Sequence, residues 1–353
     1  MTETRSSFGS TLSVAIHTDV GRVRNNNEDS SGQAWLDDGS LFCMVADGMG
    51  GHEAGEVASG LAVQVVQEVV GRDSDSDPRE RLYNALLEAN AAILEEGRRS
   101  GKHGMGTTSV CIIAKGAEVH VALVGDSRCY HIRNGHLVWR TVDHTRVQML
   151  IDAGEIDEDE ARVHPEAGQL TRALGHSRMA DGRALLPDVL GEPLFLDAND
   201  ALVLCSDGLH DLIEDWEIGR HVAGKDAANA GQALVELACD RGGHDNVTVA
   251  VVIAGKRSGD FDQHYSPPTK VSAELTYPGW STEPAPAPPT MPIAQAVRPE
   301  AGPPAGLPGE ASADDAKPAK NPMILYVVGG LAALLFLLFL LAAVLFIVFK
   351  YAL

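Results

Sequence analysis

The chain has 353 residues, with 49 acidic side chains against 28 Lys and Arg, so its formal net charge is −21. This charge argues against a protein that binds nucleic acid or anionic lipid through a basic surface. The five cysteines are odd in number and include no Cys-x-x-Cys pair. That pattern disfavours a disulfide framework or a zinc ribbon, and it predicts buried thiols in a reducing compartment.

Residues 1–255 mix apolar runs with charged segments and are predicted to form one folded domain. Short β-branched runs bounded by Gly, Asp or Asn predict strands at 12–19, 41–46, 107–115, 118–124, 129–133, 201–205 and 246–253. Apolar periodicity predicts helices at 53–70, 79–99 and 227–239, the first with Val57, Leu61, Val65 and Val69 on its core face. Gly116-Ala117 predicts a hairpin between two of the strands. Because strands meet in hairpins and the helices come in blocks rather than after every strand, we expect an α+β domain of antiparallel sheets with helices packed outside.

The rest of the chain has a different composition. Residues 256–322 hold 14 of the 18 prolines and are predicted to be a disordered Pro/Ala-rich linker. Residues 323–349 carry no charge and would form a helix about 40 Å long, enough to cross a hydrocarbon core of about 30 Å. Residues 350–353 would be a short tail. Because the N-terminus lacks the apolar core of a signal peptide, we expect a single-pass protein of the cell (inner) membrane with residues 1–255 in the cytoplasm.

Four aspartates stand beside predicted buried strands. Asp47, Asp126 and Asp207 each follow an apolar run, and Asp245 stands just before the strand 246–253. Taken singly, each fits a turn residue. If the four converge, their repulsion must be compensated, and a cluster of divalent cations would do so. Oxygen ligands without Cys or an ordered His set favour Mg²⁺ or Mn²⁺ over zinc. A pair of such ions is a common device for hydrolysing phosphate esters.

A phosphate substrate also needs a cation from the protein. Arg24 stands at the end of the first strand region, just before Asn25-Asn26-Asn27-Glu28-Asp29. A guanidinium can hold two phosphate oxygens at once. From this local sequence alone, an ordinary surface arginine is the simpler interpretation.

An ordered series of motifs extends from about residue 10 to residue 254. The motifs are Val23-Arg24-x-x-Asn27-Glu28-Asp29, Val45-Ala46-Asp47-Gly48-Met49-Gly50-Gly51-His52, Gly106-Thr107-Thr108, Val124-Gly125-Asp126-Ser127-Arg128, Asp143-His144-Thr145, Leu170-Thr171-Arg172-Ala173-Leu174-Gly175, Cys205-Ser206-Asp207-Gly208-Leu209 and Asp245-Asn246-Val247-Thr248. This series resembles the PPM family of metal-dependent (type 2C) serine/threonine protein phosphatases, and the Asp-Gly-Met-Gly-Gly-His form resembles its bacterial branch.

The resemblance implies a four-layer α-β-β-α sandwich, with metal ions in a cleft between two antiparallel sheets. By this resemblance, Asp47 would bridge two ions, the Gly48 carbonyl would bind one of them, and Asp207 and Asp245 would complete the pair. Asp126 with Asp207 would hold a third ion, and Glu28 and Asp29 would act mainly through metal-bound water. Arg24 would bind the substrate phosphate. Residues 143–178 resemble the flap beside the cleft, where substrate choice is expected. The implied cofactors are two Mn²⁺ or Mg²⁺ ions and a third at the extra site.

These implications predict a membrane-tethered enzyme that hydrolyses phosphoserine and phosphothreonine in proteins through a hydroxide bridging the two ions. Arg24, Asp47 and Asp207 would be its catalytic residues. The expected partners are phosphorylated proteins, with a serine/threonine kinase as a candidate, and the catalytic domain is expected to be monomeric. One departure keeps an alternative open: Met49 replaces a His that many eukaryotic relatives carry, and His52 lies three residues on. A catalytically silent phosphoprotein-binding module on the same tether would also fit, as would a metal-sensing or scaffold protein.

Overall fold

We analysed a computed structural model, which describes residues 2–255 apart from residues 8–9, 51–52, 73 and 180–181. His52, the predicted linker 256–322, the predicted membrane helix 323–349 and the tail 350–353 lie outside the described residues. Among the helices that are described, none has both the length and the apolar character needed to cross a membrane.

The described residues form two antiparallel sheets. The strands are β1 (Thr2–Ser7), β2 (Ser10–Asp19), β3 (Asp29–Trp35), β4 (Leu41–Met49), β5 (Gly106–Thr107), β6 (Ser109–Lys115), β7 (Glu118–Val124), β8 (Arg128–Arg133), β9 (His136–Arg140), β10 (Asp188–Val189), β11 (Leu194–Phe195), β12 (Ala201–Cys205) and β13 (Val247–Ala254). The first sheet has the order β1-β2-β13-β12-β8-β9. The second has the order β10-β7-β6-β4-β3, with β11 beside β7 and β5 beside β4. This confirms the predicted α+β architecture of antiparallel sheets.

Helices cover the outer face of each sheet. They are α1 (Glu53–Arg72), α2 (Pro78–Ser100), α3 (Arg146–Asp152), α4 (Glu158–Arg162), α5 (Asp207–His210), α6 (Asp215–Val222) and α7 (Ala227–Asp240). Helices α1 and α2 pack on the second sheet, and α5, α6 and α7 pack on the first. A third apolar cluster, which includes Val14, Val45 and Leu204, fills the space between the sheets. The layers therefore follow the order helix, sheet, sheet, helix.

Local sequence explains several element boundaries. Helix α2 begins where the Asp77 side chain accepts a hydrogen bond from the Arg79 N–H, and Pro78 occupies its first turn. It ends at Gly101, whose φ of 72° is the left-handed conformation that closes a helix at little cost for glycine. The predicted hairpin is confirmed, because Lys115 pairs with Glu118 across a two-residue turn.

The predicted core face of α1 was confirmed in part, since Val69 is buried in the core and Val57, Leu61 and Val65 pack against it. Val57, Leu61 and Val65 are only partly buried, whereas Ala58 and Ala62 are fully buried. Small side chains let the helix backbone lie close to the second sheet, so the alanine stripe faces the sheet and the larger residues flank it. The five cysteines are all buried and free, as predicted.

Candidate metal centre

A cavity of about 530 Å³ lies where residues of the two sheets meet. Its acidic wall consists of Glu28, Asp47, Asp126, Asp207 and Asp245. Asp47 belongs to β4 of the second sheet, while Asp207 follows β12 and Asp245 precedes β13 of the first sheet. Acidic residues from opposite ends of the domain sequence, such as Glu28 and Asp245, therefore face one space. Arg24 and the Gly48 backbone line the same cavity.

Hydrogen bonds hold the main chain of Asp47 on both sides. Its N–H donates to Thr108 Oγ1 over 2.9 Å. Its carbonyl accepts from Thr107 Oγ1 over 2.7 Å and from the Thr108 N–H over 2.8 Å. Strand β4 continues two residues beyond Asp47 to Met49, further than the sequence predicted. Because the backbone is fixed in this way, the Asp47 carboxylate is held at the cavity wall.

Gly48 lies where only glycine fits. A Cβ atom at this position would stand 2.3 Å from the Gly55 carbonyl oxygen and 2.5 Å from the Glu28 carbonyl oxygen. The Gly48 N–H donates to that Glu28 carbonyl over 3.1 Å. The close approach of three backbone segments therefore requires a residue without a side chain.

Asp29 lies next to the cavity wall, opposite Asp47 in the β3–β4 ladder. Ser206 Oγ donates to Asp29 Oδ2 over 2.8 Å and accepts from the Thr248 N–H over 3.0 Å. Asp29 Oδ1 is buried and has no hydrogen-bond partner. Burial, more than the charge of Asp245, raises the pKa of Asp29 to about 6. Sequence reasoning did not single out Ser206, although it stands beside Asp207 in the motif that we quoted.

The other carboxylates of the wall repel one another. Burial first, and then the charges of Asp207, Asp29 and Asp126, raise the pKa of Asp47 well above its usual value. Burial likewise raises the pKa of Asp207, with Asp126 as the largest charged contributor. Burial and the charge of Asp143 raise the pKa of Asp126 to about 7, against the opposing charge of Arg128. These carboxylates are too close together to be ionised without a compensating cation.

Arg24 pairs with one of the predicted metal ligands. Its Nη2 atom lies 2.7 Å from Asp245 Oδ2, with 53% of the arginine side chain and 24% of the aspartate side chain exposed. Among the described residues that line the cavity, Arg24 carries the only basic side chain. The guanidinium therefore lies at the mouth of the cavity, beside the carboxylates.

Asn246 holds together the loop that carries Arg24 and Glu28. Its buried amide Nδ2 donates to the Val20 and Asn26 carbonyls, both over 2.9 Å. Its Oδ1 accepts from the Glu28 N–H over 2.8 Å. The sequence offered only its place beside Asp245 as a signal, and its structural role was missed.

The donor set fits hard divalent cations. Asp29 Oδ1 and Asp207 Oδ1 are buried oxygens to which no described residue donates a hydrogen bond. The described residues of the wall offer carboxylate and backbone oxygens and include no cysteine, and their one sulfur is the Met49 thioether. Within the part of the chain that is described, no group of three or more His, Cys, Asp or Glu side chains stands close enough together to hold a metal ion. Mg²⁺ commonly binds through one or two carboxylates and keeps several water ligands, so a complete protein cage is not required.

Comparison with known proteins decides the family. The family model for protein phosphatase 2C matches residues 18–247. The chain belongs to the protein phosphatase 2C family. It is 36% identical over 278 residues to the serine/threonine protein phosphatase PstP of Mycobacterium tuberculosis, covering 73% of this chain and 50% of PstP. It thus spans half the length of that relative.

Other relatives match over nearly their whole length. The serine/threonine phosphatase stp of Listeria monocytogenes is 35% identical over 247 residues, which cover 68% of this chain and 95% of stp. A crystal structure of the catalytic domain of the serine/threonine protein phosphatase PstP with two manganese ions superposes with a TM-score of 0.60 at 35% identity, covering 69% of this chain and 99% of that one. A structure of the Streptococcus agalactiae serine/threonine phosphatase gives a TM-score of 0.64 at 32% identity, with 69% and 99% coverage.

In this protein phosphatase 2C chain, residues 143–178 include the short helices α3 and α4. The Thr145 side chain begins α3 by accepting from the Gln148 N–H, and Thr145 also pairs with Leu170. The His144 N–H donates to the Gly125 carbonyl over 2.9 Å, one residue before Asp126. This segment is therefore attached directly beside the metal-centre residues.

Met49 is half-buried on the cavity wall. A thioether cannot donate a proton at neutral pH, so this position supplies no general acid. Sequence reasoning identified this departure but not the hydroxyl groups of Thr107, Thr108 and Ser206, which position the aspartates.

Proposed function

We propose that residues 1–255 hydrolyse phosphoserine and phosphothreonine in proteins, with Mn²⁺ or Mg²⁺ as cofactor. The observation that carries this proposal is the shared cavity of Asp47, Asp126, Asp207 and Asp245, with partnerless buried oxygens and raised pKa values. Membership of the family and the manganese-bound relative support it.

The protein's own groups divide into metal holders and a phosphate holder. Asp47, the Gly48 carbonyl, Asp207 and Asp245 would hold two ions, and Asp126 with Asp207 would hold a third. Glu28 on the cavity wall and Asp29 next to it would act mainly through water bound to the ions. When bound, hard divalent cations lower the pKa of a water ligand and neutralise charge on phosphate oxygens.

Arg24 binds the phosphate of the substrate. Its guanidinium is half-exposed at the cavity mouth, and its ion pair with Asp245 holds it there. A fork of N–H donors in a fixed place can bind two phosphate oxygens without losing further side-chain freedom. Since Met49 supplies no proton, water in the open cavity protonates the leaving alkoxide.

The domain acts at the cytoplasmic face of the cell membrane, tethered by residues 323–349 through the linker 256–322. The uncharged sequence of 323–349 supports this part of the proposal, and those residues lie outside the described part of the chain. Tethering would raise the local concentration of membrane-bound phosphoproteins, including a serine/threonine kinase. A chain ending at residue 322 should leave the membrane fraction, and its retention there would contradict the tether.

The activity is tested with the full chain and Mn²⁺, using p-nitrophenyl phosphate and a phosphothreonine peptide. Asp47→Asn and Asp207→Asn should each lower kcat/KM by more than about 100-fold, because loss of even an outer-sphere partner of a metal costs up to about that much. Asp240→Asn, an exposed aspartate at the end of α7, is the matched control and should leave kcat/KM unchanged. Equal phosphate release by the wild type and the two cavity variants would contradict the proposal. Tight phosphopeptide binding without any release would instead support the silent binding module.

A further inference from the structure

A second cavity, also of about 530 Å³, opens next to the metal centre. Met49, Gly168 and Leu170 line both cavities, so the two spaces meet at these residues. His176 reaches the same place: a Cβ atom on Gly106 would lie 3.2 Å from both His176 Nε2 and Met49 Cε. We call this second space the basic subsite and define it by Met49, Leu170, Arg172, His176, Arg178 and Met179.

The charge of the basic subsite is opposite to that of the metal centre. Arg172, His176 and Arg178 line it, and no Asp or Glu is among the described residues of its wall. The neighbouring metal cavity has five carboxylates and one arginine. In a chain with a net charge of −21, a wall with basic side chains and no acidic ones selects for an anion.

The three basic residues are not equally available. Arg172 Nη1 lies 2.5 Å from Asp188 Oδ1, so its charge is already compensated. Arg178 is exposed, and no carboxylate of the described residues lies at ion-pair distance from it. Its Nη1 donates to the Gly182 carbonyl over 2.6 Å, which positions the guanidinium without adding a negative charge beside it. His176 is also exposed. Arg178 is therefore the main cation that a ligand can reach.

The floor of the basic subsite is apolar. Met179 is 8% exposed, and Leu170 and Met49 are half-buried. An apolar floor beside a positioned cation suits a polypeptide segment, whose backbone and carbon atoms pack on the floor while an anionic group meets the guanidinium. An inorganic anion alone would gain nothing from the floor.

We propose that the basic subsite binds an anionic side chain of the substrate polypeptide, near the phosphorylated residue that lies over the metal centre. This inference rests on the proposed phosphatase function. The shared chemistry is an anionic oxygen group, which a Glu or Asp carboxylate or a second phosphorylated residue can provide. Arg178 is a specificity residue in this assignment and takes no part in the hydrolysis itself.

The test uses the full chain with Mn²⁺ and eleven-residue peptides that carry a central phosphothreonine in an Ala/Gly background. One Glu is moved along the peptide, with Gln and Lys at the same places for comparison. Five extended residues on either side reach about 17 Å, enough to cover the cavity. At one or two positions on one side, Glu should raise kcat/KM about fivefold to tenfold over Gln, the range of one charge-assisted contact. Phosphoserine at that position separates the two sources: a rate above that of Glu identifies a second phosphate as the preferred anion, and an equal rate identifies any anion.

Arg178→Glu should reverse the preference, so that the Lys peptide becomes faster than the Glu peptide. Arg98→Glu is the matched control, because Arg98 is 69% exposed at the end of α2 and lines none of the cavities described here. Hydrolysis of p-nitrophenyl phosphate should be the same in the wild type and both variants, which also shows that the variants fold. Equal rates with Glu and Gln at every position, or no reversal in Arg178→Glu, would overturn the inference.

Failure of the proposed function gives a different result. In that case neither p-nitrophenyl phosphate nor any peptide is hydrolysed. Fluorescence anisotropy with labelled peptides then decides the inference without turnover. Tighter binding of the Glu peptide than of the Gln peptide, lost in Arg178→Glu, supports the basic subsite, and equal binding overturns it.

Discussion

Two neighbouring regions of the described domain enclose carboxylates, but a mostly buried arginine pairs with them in only one. The one arginine that lines the other region, the metal cavity, is Arg24, which is half-exposed and pairs with Asp245. In the metal cavity, burial and mutual repulsion raise the pKa values of Asp47 and Asp207. Around Arg128, burial alone would raise the pKa of Asp143, but the charge and hydrogen bonds of Arg128 hold it below its usual value. The difference teaches that where a buried charge serves the architecture, the sequence supplies its partner. Where it serves a ligand, the partner comes from outside.

The compensated region joins three elements. Arg128 donates from Nε and Nη2 to the two oxygens of Asp143, over 2.9 and 2.7 Å. The Tyr130 hydroxyl accepts from Arg128 Nη1 over 3.1 Å and donates to Asp215 over 3.0 Å. Arg140 Nε lies 2.9 Å from the other oxygen of Asp215. Strand β8, the start of the segment 143–178 and helix α6 are thereby connected.

Removing the cation from this network should have the largest effect on stability. Arg128→Met leaves Asp143 buried without its partner, and breaking a buried ion pair in this way costs about 3–5 kcal/mol of unfolding free energy. The loss of unfolding free energy is measured by urea unfolding of the folded domain within the full chain. Arg98→Met removes an exposed pair with Glu95 and should cost less than about 1 kcal/mol. A loss as small as that of Arg98→Met would show that the network contributes little.

Addition of a divalent metal ion should compensate the negative charge of the cavity that Asp47 and Asp207 line. Mn²⁺ at about 100 times its dissociation constant should stabilise the wild type by about 2.7 kcal/mol, because it binds the folded state alone. Asp207→Asn removes a carboxylate from the wall, so the same addition should shift its unfolding midpoint far less. Both are compared with chelator-treated protein by thermal unfolding. An equal shift in both proteins would place the bound manganese elsewhere.

Much of the fold was predictable because its central strands carry strong local signals. The strands β7 and β12 were predicted to the residue, since β12 is a continuous apolar run, β7 is mostly apolar and rich in Val, and turn residues bound both. Strand β3 was missed: it contains Gly32 and several small polar residues, and only the neighbouring β4 makes it a strand. Helices α3, α4 and α6 were also missed, because each is eight residues or shorter.

The candidate site was predictable in its residue types rather than in its contacts. Asp47, Asp126, Asp207 and Asp245 were singled out from their positions beside strands, and all four line one cavity. The ion pair between Arg24 and Asp245 was not predictable, because it joins residues 221 positions apart. The basic subsite was also missed. Its cations stand in a segment without regular periodicity, and their charge becomes informative only beside the carboxylates of the neighbouring cavity.

The smallest expected effect is a dependence of the unfolding free energy on pH, which distinguishes the carboxylates of the metal cavity from those paired with arginine. In chelator-treated protein, the pKa values of Asp29 and Asp126 are raised to about 6 and about 7. The folded state therefore binds more protons than the unfolded state, whose aspartates titrate near pH 3.9. Asp29 and Asp126 therefore contribute their full stabilisation of the folded state below about pH 3.9, and this contribution is lost as the pH rises through about 6 and 7. The unfolding free energy should thus fall by about 1–2 kcal/mol between about pH 6 and about pH 7.5.

Two variants test whether the carboxylates of the metal cavity cause this fall of the unfolding free energy with pH. Asp126→Asn removes the carboxylate with the higher of the two pKa values. The unfolding free energy of this variant should therefore fall less than that of the wild type over the same pH interval. Asp38 has a lowered pKa, because hydrogen bonds from Ser40 and the charge of Arg81 outweigh its burial. Its contribution is present above the unfolded pKa and is lost only as the pH falls below it, so Asp38→Asn should lower stability without changing the slope. If Asp126→Asn kept the full wild-type slope, Asp126 would not be a source of the extra protons that the folded state binds, and its carboxylate would not be an uncompensated charge of the cavity.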